Sequence, residues 1–512
     1  MKLDDTPLRS SRLLEALRGR PRALVYSVIL GHSLAMALAM LLVQASPPRE
    51  VVEALVIGRE SLLGTPAHPP LTGWVLGFAY WLGGGRLWAL SLAGVLADAV
   101  ALWAVFRLAR GIVGERQGAF ATVLLAGVAW VTWLPPALSP DRLLLPLFAL
   151  TALHLWRAAG QGRRLYWGLV ALDLALLVIT KYSAAVLAGV VVLALAAAPK
   201  GRAVFRRPEP WGAVAVAAAL IWPHILWVAT DDGLPFDHAV GSLGAPDLVG
   251  AAEAWGGLLL LGVLGHAALA VLVALAVVPR RSEGDTVPVF PRPEPDITAR
   301  RFALTLALAP APAVAMAGFV LGLPAKTETL VPLFAFSGLG AVLLLGPAIP
   351  LYRHALVGRA LVLATLAPPA VAAMMAVAAP YGRGPGADTN WPSGEIAGWF
   401  TEVYRIRTGQ PLAIVAGDVW TGGTLALASR DRPQLLLDGN PARTPWITEE
   451  TVAQAGVLVV WRIEGANPHP PVSLRTRFPG MTIEAPRSFD WAIKGRLPPV
   501  RIGWAVIPPQ GG

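Results

Sequence analysis

The sequence predicts a polytopic α-helical membrane protein of about eleven transmembrane helices, with interfacial helices in the first outer loop and a small C-terminal α/β domain. Three observations carry this fold class. Of 512 residues, 55% are hydrophobic and only 14% charged, with a mean hydropathy of +0.58, where a soluble chain carries ~25% charge. Apolar runs of roughly 20 residues, the length of a bilayer crossing, recur from residue 23 to about 380 and then cease. Residues 382–512 hold 13 Lys+Arg against 11 Asp+Glu, the balance of a water-facing domain. The expected division is therefore a membrane domain over 1–381, with its first outer loop at 46–86, and a separate domain over 382–512.

The chain opens with six basic residues among its first 22 (Lys2, Arg9, Arg12, Arg18, Arg20 and Arg22), and the apolar run after them ends without a small-residue cleavage site. This is the pattern of an uncleaved first span. The expected spans are 23–45, 87–109, 117–136, 142–158, 164–179, 183–199, 210–229, 252–279, 300–322, 329–348 and 358–380. Basic connections such as "FRLARGIVGER", "WRAAGQGRR", "PKGRAVFRR" and "YRHALVGR" alternate with "SPPREVVE", "LPPALSPD", "TDDGLPFD" and "LPAKTETL". The positive-inside rule then makes the N-terminus cytoplasmic. Eleven crossings place the tail outside, in the periplasm if the host is Gram-negative, with the chain in the bacterial inner membrane. The net charge of +10 thus reports topology rather than nucleic-acid binding. There is no cysteine, which excludes disulfides and thiolate chemistry.

Within the first outer loop, "PPREVVEALVIGRESLLG" begins at Pro47-Pro48 and ends at Gly64, as a helix with ordinary start and stop signals does. After Thr65-Pro66-Ala67-His68, residues 69–83 form a second apolar stretch. As a helix it would be ~22 Å long, short of the ~30 Å hydrocarbon core. Its Trp74, Phe78, Tyr80 and Trp81 favour the membrane–water boundary. In the tail, "WFTEVYRI" reads as helix, and "PLAIVAGD", "PQLLLDG" and "AGVLVVWR" read as short buried strands between turns.

Several polar residues stand where chemistry could occur. Glu50 and Glu53 share one face of the first interfacial helix. Glu50 suits a general base at the membrane surface, and it equally suits the positive end of a helix dipole. Asp141 closes "LPPALSPD" and fits a helix cap. Lys181, in "VITKYSA" between two apolar runs, must either snorkel or meet an anion such as phosphate, with Tyr182 beside it. The stretch "WPHILWVATDDGLPFDHAV" gathers His224, Asp231, Asp232, Asp237 and His238, a set open to a divalent metal although its spacing matches no compact motif. Asp98 and Asp173 lie inside spans, where an acid is functional by default and equally suits packing against the polar groups of a neighbouring helix.

Taken in order, these motifs resemble the family 39 glycosyltransferase-like proteins of the GT-C class. That family includes relatives of the protein O-mannosyltransferases and of the lipid A aminoarabinose and galacturonic acid transferases. "HPPLTGWVLGFAYWLGG" is similar to the family's turn and following helix, and "LSPDRLLLPLFALTALHLW" to its Pro-Asp opening of a later span. "LVITKYSAAVLAGVVVLAL" is similar to its Ser/Thr-Lys-Tyr segment, and "WPHILWVATDDGLPF" to its next outer loop. The family usually carries Asp at the position held here by Glu50, 18 residues before His68.

The resemblance implies an inverting glycosyltransferase that uses a polyprenyl-phosphate sugar donor and a lipid or glycan acceptor. Glu50, or Glu53 one turn on, would be the base. Lys181, with Arg59, would hold the departing phosphate, Asp141 and His68 would order the site, and Tyr182 and His224 would line it. No cofactor is implied, with a divalent metal left open. A transporter or flippase of lipid-linked sugars is the alternative from another class, and a structural membrane protein with a degenerate site is a third. A transporter calls for paired broken helices in two repeated halves, which the sequence does not display.

Overall fold

The computed structural model describes residues 11–58, 63–64, 69–135, 137–230, 248–279, 287–382, 387–444, 446–465 and 467–510. Its contacts divide the chain into two compact units. One comprises Met1–Ala37, Leu63–Leu71 and Gly94–Ala370; the other comprises Leu38–Leu62, Thr72–Ala93 and Val371–Gly512. Most of residues 46–86 thus group with the tail by contact.

The first eleven helices are α1 (Arg12–Gly19), α2 (Pro21–Val43), α3 (Arg49–Gly58), α4 (Leu71–Leu82), α5 (Trp88–Leu124), α6 (Ala129–Thr132), α7 (Pro140–Leu155), α8 (Tyr166–Val178), α9 (Ala184–Ala196), α10 (Pro199–Val204) and α11 (Pro208–Thr230). Among the described residues, each of the eleven apolar runs contains helix, with turns interrupting those at 252–279 and 329–348. The run at 87–109 and the first part of that at 117–136 are continuous through α5, which turns at Gly114, a left-handed residue (φ 78°) that glycine adopts without strain.

Length and composition divide the runs further. Among the described residues, six helical stretches are long and apolar enough to cross a membrane: 21–43, 88–127, 140–160, 208–230, 248–277 and 354–381. Two pairs, Ile297–Leu308 with Pro310–Val320 and Thr327–Leu333 with Ser337–Leu344, bend by 48° and 51° and raise the number to eight if each is one span. With 13 residues each, α8 and α9 are ~20 Å long, shorter than the hydrocarbon core. The bent pairs follow one another in the chain and do not occupy corresponding places in two halves.

In the first unit, α7 packs against α8, and α8 against α11. A short antiparallel pair, β1 (Val289–Pro291) with β2 (Ala348–Pro350), is tied to α5. The tie is Gln117, whose amide donates to the carbonyls of Phe290 (2.7 Å) and Pro347 (2.9 Å).

The second unit is built on a five-stranded sheet of β3 (Ile414–Gly417), β4 (Gln434–Leu437), β5 (Val457–Arg462), β6 (Arg487–Phe489) and β7 (Val500–Ile507), in the order β4-β3-β5-β7-β6. The three strands legible in the sequence are mutually parallel, and β7 and β6 extend the sheet antiparallel. Ile414, Ala416, Leu436, Val457, Val459 and Trp461 form its core. The helix Ser393–Thr408 packs against the helix Thr421–Ala428, and α3 packs on the latter too, with Val52 and Val56 against Gly423. Helix α4 buries Leu76 and Tyr80, and the Tyr80 hydroxyl donates to the Leu427 carbonyl at 2.7 Å. Its other face leaves Phe78, Trp81 and Leu82 more than 60% exposed. Backbones of α3 and α4 cross closely at Gly58 and Gly73, where a Cβ on Gly58 would lie 2.4 Å from Gly73.

Candidate functional site

In the first unit, residues far apart in sequence converge around the start of α7. Ser139 caps this helix, its hydroxyl accepting the Arg142 N–H, and Pro140 occupies the first turn, where a missing N–H is harmless. The cap is therefore Ser139 rather than Asp141. That frees the Asp141 carboxylate, which accepts both of its bonds from the Lys181 ammonium, at 2.8 and 2.7 Å. Lys181 stands in the break between α8 and α9, its side chain 23% exposed against 11% for Asp141. The lysine thus neither snorkels alone nor waits uncompensated: it has a buried counter-charge. An ammonium has three donors, so among the described residues one remains for a further acceptor such as a phosphate oxygen.

The next residue makes a second pair. The Arg142 guanidinium donates to Asp98 of α5 at 2.6 Å and to the Leu134 carbonyl at 3.1 Å, with both side chains under 8% exposed. Two consecutive residues of one helix turn thus carry opposite charges, each neutralised by a different neighbour. A buried charge tolerates its site only when so paired. The sequence reading missed Arg142. The available signal was Asp98, an acid in an apolar span that demanded a cation from another helix. Asp173 meets an analogous need through His154, whose Nδ1 lies 2.6 Å from its carboxylate.

A third group adjoins Lys181. The His224 Nδ1 lies 2.6 Å from the Leu63 carbonyl, so it carries the proton and donates. In the neutral ring Nε2 then accepts from the Tyr182 hydroxyl at 3.1 Å. Tyr182, His224 and Trp227 stack with ring centroids 5.8 and 5.7 Å apart. The segment between α3 and α4 is tied in twice more. A Cβ on Gly64 would lie 2.4 Å from the Trp227 ring, and the Leu71 N–H donates to the Ile179 carbonyl at 3.0 Å. Pro69 and Pro70 of the His-Pro-Pro turn are buried. His68 and Arg59 lie outside the described residues, as do Asp231, Asp232, Asp237 and His238. Among the described residues, no three His, Asp or Glu converge closely enough to hold a metal ion.

In the second unit, Glu50 lies exposed in the first turn of α3, and Glu53 is half-buried one turn on. The helix start is gripped by the segment that enters the sheet domain. Thr389 accepts the N–H groups of Ala45 (2.8 Å) and Ser46 (3.2 Å), and Ser393 donates to the Ala45 carbonyl at 3.2 Å.

Residues 67–227, the stretch that contains Asp141, Lys181, Tyr182 and His224, match the model of the dolichyl-phosphate-mannose-protein mannosyltransferase family. Nearly the whole chain is similar in fold to ArnT from Cupriavidus metallidurans. Against ArnT bound to undecaprenyl phosphate, the identity is 15% over 94% of this chain and 97% of that one, with a TM-score of 0.57. Against its apo state the values are 14%, 94%, 98% and 0.56. AglB from Archaeoglobus fulgidus, in complex with an inhibitory peptide and a dolichol-phosphate, follows at 12% identity, over 85% of this chain and 69% of that one. Its TM-score is 0.40. No curated protein sequence matches the chain. At these identities the likeness is one of fold: this is a multi-pass membrane protein with the architecture of a GT-C glycosyltransferase, in line with the ordered motifs of its sequence.

Proposed function

We propose that the protein transfers a sugar from a polyprenyl-phosphate donor to an acceptor hydroxyl. The observation that carries this reading is the Lys181–Asp141 pair, a compensated cation with one donor to spare. It lies inside the stretch that matches a family of lipid-phosphate-dependent transferases, in a chain with the fold of an enzyme captured with undecaprenyl phosphate.

In the reaction, the acceptor oxygen attacks the anomeric carbon from the face opposite the leaving group. The bond from that carbon to the phosphate oxygen breaks, and polyprenyl phosphate departs. The acceptor proton passes to Glu50, with Glu53 the second candidate. The leaving phosphate gains charge as the bond breaks, so a fixed cation at Lys181 stabilises the transition state more than the ground state. Tyr182 and His224 hold the neighbouring chain in place, and by resemblance Arg59 and His68 assist at the phosphate and the turn. Basic loops on one side support a cytoplasmic N-terminus and the outer leaflet of the bacterial inner membrane as the place of reaction. Eleven crossings with an external C-terminal domain complete the proposed topology. Lipid A or another envelope glycan is the proposed acceptor.

Mass spectrometry of envelope lipids from cells with and without the protein tests the reading. A sugar-bearing lipid or glycan present only with the protein, and lost in Lys181→Ala, is the expected result. Identical profiles, together with no release of undecaprenyl phosphate from undecaprenyl-phosphate-linked sugars by the purified protein, would refute it.

A further inference from the structure

Contacts within the first unit bring three connections together. They are residues 156–167, which carry the π-helical turn Trp156–Gly160, residues 197–211 around α10, and residues 293–301, which open the helix Ile297–Leu308. Helix α10 packs on α9, on the π-helical turn and on that later helix. The Arg164 guanidinium stands 3.4 Å from Glu209, Lys200 stands 3.3 Å from Asp296, and Arg301 donates to the Ala197 carbonyl at 3.4 Å.

Together these stretches hold nine Lys and Arg against three Asp and Glu. Two of the acids, Glu209 and Asp296, are taken by the pairs just described. Arg163, Arg202, Arg206, Arg207 and Arg300 are exposed and, among the described residues, pair with no carboxylate. Cations gathered in this way repel one another, and an anion set against them lowers that energy.

The same stretches carry apolar side chains in the open. Leu165 is 93% exposed, Trp211 62% and Ile297 50%. The Trp211 indole N–H donates to the Phe205 carbonyl at 2.9 Å, so what the ring presents outward is carbon. A soluble polyanion would meet the arginines and leave these three side chains in water. A phospholipid surface takes both, with phosphate at the cations and lipid carbon at the apolar groups. The positive-inside rule explains why each connection is basic. It does not require connections from three parts of the chain to pack together, nor exposed Leu and Trp among their cations.

We propose that these three connections form a seat for anionic phospholipid headgroups in the leaflet they face. The seat includes the start of α8, whereas Lys181 follows the end of that 13-residue helix. About 20 Å of helix therefore separates this lipid from the candidate donor site, and the inference stands independently of the transfer reaction.

Native mass spectrometry of the full-length protein from detergent micelles tests it, with dioleoylphosphatidylglycerol as the anionic probe and dioleoylphosphatidylcholine as the zwitterionic one. The wild-type protein should retain the anionic lipid about tenfold more tightly or better, and added salt should erode the preference. A basic residue near an anionic surface is worth about a fivefold change in binding. Arg202→Gln, Arg206→Gln and Arg207→Gln combined should therefore weaken retention roughly 100-fold. Arg202→Lys, Arg206→Lys and Arg207→Lys combined should keep most of it. So should Arg430→Gln, Arg475→Gln and Arg496→Gln combined, which neutralise three exposed arginines of the other unit. Leu165→Ser should weaken retention about tenfold with the salt dependence intact.

Equal retention of the two lipids by the wild-type protein would overturn the inference. So would a preference that survives the first glutamine triple, an equal loss in the triple of the other unit, or unchanged retention in Leu165→Ser. Displacement of the lipid by glycerol phosphate at equal concentration would also overturn it, since a seat for free phosphate has no use for Leu165 and Trp211. If the first glutamine triple folds poorly, the wild-type preference and Leu165→Ser decide the matter.

Discussion

Lys181 and Asp141 should respond in opposite senses when either is changed and phosphate binding is measured. Their two bonds of 2.8 and 2.7 Å are charge-assisted, and such bonds are worth about 1.5–3 kcal/mol. A phosphate that binds Lys181 competes with Asp141 for the ammonium, so the carboxylate holds affinity below what the bare cation would reach. Lys181→Ala removes the cation, and the loss of one charged contact weakens undecaprenyl phosphate binding by roughly 10- to 150-fold. Asp141→Asn leaves the cation with a weaker neutral partner and should tighten binding several-fold.

Stability separates the two effects. Removing one member of a buried pair costs about 3–5 kcal/mol. With Lys181 23% exposed, about half of that is the reasonable figure here. Both variants should unfold at lower temperature, but undecaprenyl phosphate should rescue only Asp141→Asn, by occupying its unpaired lysine. Thermal unfolding in detergent with and without undecaprenyl phosphate, together with its binding isotherm, reads all of this. Equal destabilisation with no rescue in Asp141→Asn, and unaltered phosphate affinity in both, would show the pair to be structural.

Four further outcomes follow from other parts of the chain. Glu50→Gln should lower turnover by ~10²–10⁴, the contribution of a positioned base, with Glu53→Gln milder; a severe defect only at Glu53 in steady-state kinetics moves the base one turn. Arg142→Ala strands Asp98 in the core and should cost about 3–5 kcal/mol in chemical unfolding, whereas Arg142→Met with Asp98→Asn should recover much of it. Gly73→Ala places a methyl 2.8 Å from Gly58 and 2.9 Å from the Ala54 carbonyl, so unfolding temperature should fall as α3 and α4 part, while Gly84→Ala tests only local turn strain at φ 65°.

The fourth concerns pH. Partial burial, opposed by Arg443 and reinforced by Asp418, pushes the Asp438 carboxyl above its ordinary value. A raised folded value means the folded state holds its proton longer, so this stabilisation is full below the ordinary carboxylate range and fades as pH rises through the raised value. Asp438 has φ 52°, a conformation asparagine tolerates, so Asp438→Asn should flatten that part of the stability–pH curve in thermal scans from pH 4 to 7.

The sequence by itself determined where the chain is helical in the membrane, because a run of apolar side chains in hydrocarbon has no partner for its backbone except itself. It also determined the two helices of the first outer loop, through proline starts, a glycine stop and aromatic spacing, and three strands of the tail as β-rich apolar runs between turns. Lys181 was legible as a charge in a costly place, Asp141 as a helix-cap candidate, and Tyr182 and His224 as polar residues beside it and in the next loop. Tertiary structure alone decided their partners. Lys181 meets Asp141 from 40 residues away, and Arg142 meets Asp98 across 44. His224 bonds Leu63 and Tyr182 rather than standing open, and the first loop's helices dock on the tail. Periodicity records which face a residue takes on its own element and nothing about which element lies opposite. A buried charge announces that it needs a counter-charge, but any helix that packs closely enough can supply one.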